Sequence, residues 1–139
     1  MKITKVVLEA SDATNIVTTA LEGGINYWGE CKDYRWKSWY VDPDAKYGDP
    51  NYDKLRHITR DEVLAYVRED MDASGQDEPV YRGNPWFALT IDNLEDAVIK
   101  VLNSEYAPLI KIRNDEIDID ATGAEVIVQY AVFGEVVFA

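Results

Sequence analysis

Between Val126 and Phe133, seven of eight residues are hydrophobic, and only Gln129 interrupts them. Gly134 follows at once, where a glycine can close a helix in the left-handed conformation. Thr122-Gly123-Ala124-Glu125 stands before the run as a helix start. A helix that is apolar on most faces has to be surrounded. This segment therefore predicts a central, buried last helix around which the remaining chain is wrapped.

The wrapping elements follow from periodicity. Lys2 to Glu9, with Ile3, Val6, Val7 and Leu8, reads as a first strand. Ser11 or Asp12 caps a helix with Ile16, Val17, Ala20 and Leu21 on its apolar side. Gly23-Gly24 ends that helix. Ile25 to Val41 is rich in aromatics and suits one or two strands. Asp42 to Tyr52 reads as a surface loop. Thr59-Arg60-Asp61-Glu62 has the form of a capping box and predicts a helix through Val63, Leu64 and Val67, fading near Asp72. Ala73 to Asn84 is loop, and Pro85 to Ile91 is strand. Asp92-Asn93-Leu94-Glu95 starts a further helix through Val101 and Leu102, which Pro108 stops. Val136 to Phe138 reads as a final strand. The order predicts one α+β domain over residues 1–139, with a small, mostly antiparallel sheet and three to four helices.

Composition narrows the function. The chain of 139 residues carries 26 acids against 14 bases, a formal charge of −12. Direct binding of nucleic acid requires cations against phosphates, so that class is excluded. One Cys and one His exclude a disulfide framework and a Cys/His zinc site within the chain. No apolar run reaches the ~20 residues of a membrane span. Eleven acids fall within residues 42–78. They are read either as a solvated face or as a carboxylate surface that mimics nucleic acid and attracts a basic protein.

Eight of the sixteen aromatic residues lie between Tyr27 and Tyr52. Such rings serve as core, or as anchors for a partner. The candidate binding residues are Asn26, Tyr27, Trp28, Trp36, Trp39, Tyr40 and Tyr47, with Asp42, Asp44 and Asp49 beside them. Asp118, Asp120, Thr122 and Gly123 imitate the opening of a calcium loop, but its twelfth position is Gln129 where Glu is required, so a helix-entry turn is the reading. No phosphate loop or dinucleotide fingerprint is present. Cys31 and His57 are the one available Cys–His combination, and no spacing joins them. No catalytic residue, metal ligand or cofactor is assigned.

The segments Asn15–Gly29, NIVTTALEGGINYWG, and Asp118–Phe138, DIDATGAEVIVQYAVFGEVVF, resemble a group of small acidic proteins encoded by tailed bacteriophages and prophages. The likeness covers about a quarter of the chain, at its two ends. That group has no agreed activity, so no catalytic role is implied. What the resemblance implies is a phage accessory protein in the host bacterial cytoplasm, acting by binding. The first expectation is a non-enzymatic inhibitor of a basic or nucleic-acid-binding host protein. The second is a binder of a small nucleotide, with Asn26, Tyr27 and Trp28 around the ligand and Arg35 or Arg82 on its phosphate. A virion or assembly component is the third, and a symmetric homo-oligomer is compatible with each.

Overall fold

A computed structural model describes residues 2–139. It is a single α+β domain. Its elements are α1 (Ala10–Gly23), β1 (Gly29–Lys32), β2 (Ala65–Glu69), α2 (Met71–Ser74), β3 (Phe87–Leu89), α3 (Ile91–Leu102), β4 (Lys111–Arg113), β5 (Glu116–Asp118) and α4 (Ala121–Phe133). Strands β1, β2 and β3 form an antiparallel sheet in that order, with Gly29 opposite Glu69 and Ala65 opposite Leu89. β4 and β5 form a separate hairpin. Its two-residue turn, Asn114-Asp115, has φ of 51° and 64°. Both values are positive, as a hairpin of this length requires, and Asn and Asp tolerate them.

Helix α4 is the central element. Gly123 through Gln129 are all buried, so every face of those two turns is covered. It packs on both α1 and α3. Asp120 caps it by accepting the Gly123 amide at 2.9 Å, which makes Asp118–Gly123 a helix entry. Gly134 ends it with φ of 75°. The core is built from Ile16, Val17 and Ala20 of α1, Leu94, Val98 and Val101 of α3, and Ile127 and Val128 of α4, together with Trp28, Val67 and Leu89.

Several expectations are corrected. Lys2–Glu9 pairs with no strand; it runs along α3, where Asn103 Oδ1 takes the Ile3 amide at 2.7 Å and Glu95 the Leu8 amide at 2.8 Å. Residues 65–69 are the middle strand of the sheet instead of a helix. Thr59–Glu62 is a turn, and burial alternates through Ala65, Val67 and Glu69, the two-residue period of a strand. Both readings were available because Leu64 and Val67 also fit a helical spacing.

The helix caps shift by a residue or two. Asp12 reaches back to the Glu9 amide at 3.0 Å, so Glu9 precedes α1. Thr90, not Asp92, caps α3 by accepting the Asn93 amide at 3.1 Å. α3 ends at Leu102, well before Pro108. Gly24 is not left-handed; its φ is −108°. Its missing side chain matters for another reason: a Cβ there would stand 2.9 Å from Glu125 Cβ and 3.0 Å from the Ala121 carbonyl oxygen. The glycine lets the end of α1 meet the start of α4. Finally, Val136–Phe138 is not a strand of any sheet. Its Val137 and Phe138 amides are taken by a side chain, that of Gln129.

Candidate functional site

The segment between β1 and β2 builds a groove around Tyr40. A 3₁₀ turn, Trp36–Trp39, sends Trp39 inward, where it is 2% exposed, and leaves Trp36 39% exposed. The chain then leaves the body at Val41 and returns at Lys54. The two ends are tied, with the Val41 amide on the Lys54 carbonyl at 2.8 Å and the Arg56 amide on the Trp39 carbonyl at 2.9 Å. Within this excursion Asp42 Oδ1 accepts the Asp44 amide and Asp49 Oδ1 the Asn51 amide, which fold it into tight turns.

The Trp36 and Tyr40 rings meet edge to face, 6.3 Å apart and at 77°. On one side of this pair lies a depression of about 180 Å³ bordered by Asp42, Tyr52 and Asp53. On the other lies one of about 230 Å³ bordered by Thr18, Glu22 and Tyr34. Burial raises the pKa of the Tyr40 phenol, and the Asp53 carboxylate beside it adds to the rise. Tyr34 behaves likewise: burial raises its pKa and Glu22 adds to it, while Thr18 opposes. Its hydroxyl is sealed from solvent and makes no hydrogen bond among the described residues. Tyr47, 91% exposed, packs edge to face on Tyr52 at 5.6 Å and extends the aromatic surface outward.

Asp53 holds a left-handed backbone, φ 56°. Such strain in a non-glycine residue gathers at functional positions, although Asp bears it better than most residues. Chemically, the groove sets aromatic rings and carboxylates together, and the chain's own Lys37 Nζ already stands 5.7 Å from the Trp36 ring centroid. That combination favours a cation.

Of the candidate residues, Trp36, Tyr40 and Asp42 therefore come together, and Tyr47, Asp44 and Asp49 belong to the same excursion. Asn26, Tyr27 and Trp28 lie elsewhere, at the junction of α1, α4 and the C-terminal segment. Trp28 is fully buried, stacked on Phe138 at 5.7 Å and 8°, and its indole N–H donates to Glu125 Oε1 at 3.0 Å. The Tyr27 hydroxyl donates to the same oxygen at 2.8 Å. Burial, then Glu125, push the Tyr27 phenol far above its ordinary pKa. The cavity beside Tyr27 is lined by Glu125 and by no Lys or Arg, so a nucleotide phosphate finds no counter-charge there. Arg35 is engaged by Asp33 on the surface at 3.3 Å.

The acidic segment 42–78 is divided by the fold. Glu69 is 2% exposed and accepts Ser74 Oγ at 2.7 Å and the Val80 amide at 2.8 Å, tying down the loop after β2. Glu62 takes both Arg56 amino nitrogens, at 2.9 and 2.6 Å. Asp70 caps α2. The carboxylates of the 42–53 excursion stay exposed beside the aromatic groove, while Asp61, Asp72, Asp77 and Glu78 are exposed away from it.

Sequence reasoning missed Asp53 as a site residue, and Glu125 with Gln129 as a buried pair. The signal for the latter was present: two polar residues four apart inside an apolar helix. Cys31 is exposed on β1, with its thiol pKa raised by burial and then by Glu30, the reverse of what a nucleophile needs. His57 is exposed. Among the described residues no group of three or more His, Cys, Asp or Glu side chains is placed to hold a metal ion. No helix among them is long and apolar enough to cross a membrane. Compared with protein-family models, curated proteins and solved structures, the chain matches none.

Proposed function

We propose that this chain is a non-enzymatic binding protein that captures a basic protein, with the groove around Tyr40 as its anchor. The single observation that carries this reading is the arrangement of Trp36 and Tyr40 at right angles, with Asp42 and Asp53 bordering the same depression. A Lys or Arg side chain from the partner places its N–H groups on the carboxylates and its charge beside the rings, taking the place of Lys37 at Trp36. Tyr47 and Tyr52 supply the apolar rim that such anchors use. The net charge of −12 steers a basic partner toward the chain before contact. In the setting implied by the resemblance to phage proteins, the partner is a host factor and the outcome of capture is its inhibition in the bacterial cytoplasm.

Isothermal titration with an arginine-rich peptide tests the reading. The peptide binds the wild-type chain, and affinity falls as salt shortens the screening length, ~8 Å at physiological ionic strength. A W36A/D53N variant loses at least tenfold in affinity, whereas D77N, an exposed acid in the loop after α2, loses less than twofold. Equal losses in the two variants would show that net charge alone attracts the peptide and that the groove is not the anchor.

A further inference from the structure

The junction of α1 and α4 carries a second site with different chemistry. Glu125 is 5% exposed, and three donors converge on its Oε1: the Tyr27 hydroxyl, the Trp28 indole N–H and the Gln129 amide. All three donors are neutral. Oε2 accepts no hydrogen bond from the described residues, yet it is not sealed from solvent. Glu125 lines a cavity of about 340 Å³ with Gly23, Gly24, Tyr27, Ala121 and Thr122. No Lys, Arg or His borders that space.

A carboxylate taken out of water normally acquires a cation or a full set of hydrogen bonds. Here one oxygen is fully engaged and holds the side chain in place, and the other is free. The rest of the cavity wall favours positive charge as well. The last turn of α1 presents its carbonyl end at Gly23 and Gly24, the negative pole of the helix, and carries no basic residue. The first turn of α4 opposes this from the other side, but Asp120 already takes its Gly123 amide. The Thr122 hydroxyl, exposed at the cavity, adds an acceptor.

We infer that this cavity binds a small organic cation that bears N–H donors, a primary ammonium or a guanidinium, on Glu125 Oε2. The assignment is independent of the groove around Tyr40, which uses other residues on another part of the surface. It also differs in chemistry: the groove joins ring faces to exposed carboxylates, whereas the cavity offers one oxygen of a buried carboxylate to a donated hydrogen.

The probes are n-butylammonium and tetramethylammonium chloride, titrated into the full chain at constant ionic strength and followed by backbone amide NMR shifts. The expected result is a saturable shift of the Gly23, Gly24 and Thr122 amides with n-butylammonium and none with tetramethylammonium. E125Q keeps an acceptor for the three donors and removes the charge, so it abolishes the response at these amides. G23L gives a second route should E125Q fold poorly. Position 23 has nothing within 4 Å of a Cβ and lines the cavity, so leucine fits there and narrows the space. It should abolish the response too. Unsaturable shifts, an equal response to tetramethylammonium, or a response that survives in G23L would overturn the assignment. Shifts confined to the amides around Trp36 and Tyr40 would do the same, and would leave the proposed anchor standing.

Discussion

Gln129→Leu isolates the role of one side chain. Gln129 is fully buried in the middle of α4. Its Oε1 accepts the Val137 amide at 2.8 Å and the Phe138 amide at 2.9 Å, and its Nε2 donates to the Phe138 carbonyl at 2.7 Å. The same nitrogen also donates to Glu125. One amide thus serves the C-terminal segment as a neighbouring strand would. Leucine keeps the bulk and removes all of these partners.

If the segment stays in place, the Val137 and Phe138 amides lose their partner, at ~1–3 kcal/mol for each one that is buried, while the Phe138 carbonyl keeps the Tyr27 hydroxyl at 3.1 Å. If it swings out, water satisfies those groups, but Phe138 leaves the face of Trp28, at ~1–2 kcal/mol of apolar burial. The chain takes the cheaper course. In both cases Glu125 loses a donor, and a hydrogen bond to a charged group is worth ~1.5–3 kcal/mol. The expected total is therefore ~3–4 kcal/mol, a large share of the ~5–15 kcal/mol that holds a domain together. Urea denaturation measures it, and hydrogen exchange at Val137 and Phe138 reports the release of the segment. A loss below ~1 kcal/mol with both amides still protected would refute the reasoning.

Three further outcomes follow from the packing and the charges. Gly24→Ala should cost ~1–3 kcal/mol, because its Cβ meets Glu125 and the Ala121 carbonyl, whereas Gly23→Ala should be neutral or stabilise by up to ~1 kcal/mol; denaturation midpoints of the pair decide it. Trp28→Ala should cost ~3–5 kcal/mol and Trp36→Ala less than ~1 kcal/mol, since the first is buried and the second stands at the surface; equal costs would misplace one of them. The Arg56 hydrogen bonds lower the pKa of Glu62 in the folded chain. The stability this gives is present above the carboxylate's unfolded pKa and is lost as pH falls through the folded one. Glu62→Gln should therefore flatten the acid limb of the stability curve, and an unchanged slope below pH ~4 would count against the pairing.

The helices around the core were legible because their signals are local. Ile16, Val17, Ala20 and Leu21 repeat at helical spacing, and the run after Glu125 has no polar face to turn outward. Strand β2 was not legible. Thr59 and Glu62 stand three apart, as a capping box does, but Glu62 is drawn to Arg56 and Thr59 closes a turn instead. The sheet decided the outcome: Tyr66 and Arg68 pair across to β1, a partner more than thirty residues away that no window can see. Lys2–Glu9 failed for the opposite reason, because an extended apolar stretch needs a free edge, and α3 met it first. For the site, aromatics and acids near Tyr40 could be named from the sequence. Which rings would turn inward could not. Trp39 and Trp36 are three residues apart in one 3₁₀ turn, a spacing that puts both on one side, yet Trp39 reaches the core and Trp36 stops at the surface.

The placement of α4 at the centre has a consequence for how the molecule comes into being on a ribosome. Chains emerge from the N-terminus, and domains generally fold as units. Here α1 and α3 meet the core through an element made after both, so they leave the tunnel with their apolar faces uncovered. The three-stranded sheet gives little relief, since β1 must wait for β2 across a long loop. Folding is thus postponed until Phe133 is clear of the exit. A chain stalled before α4 would present Ile16, Val17, Leu94 and Val98 to chaperones and proteases instead of a half-built domain.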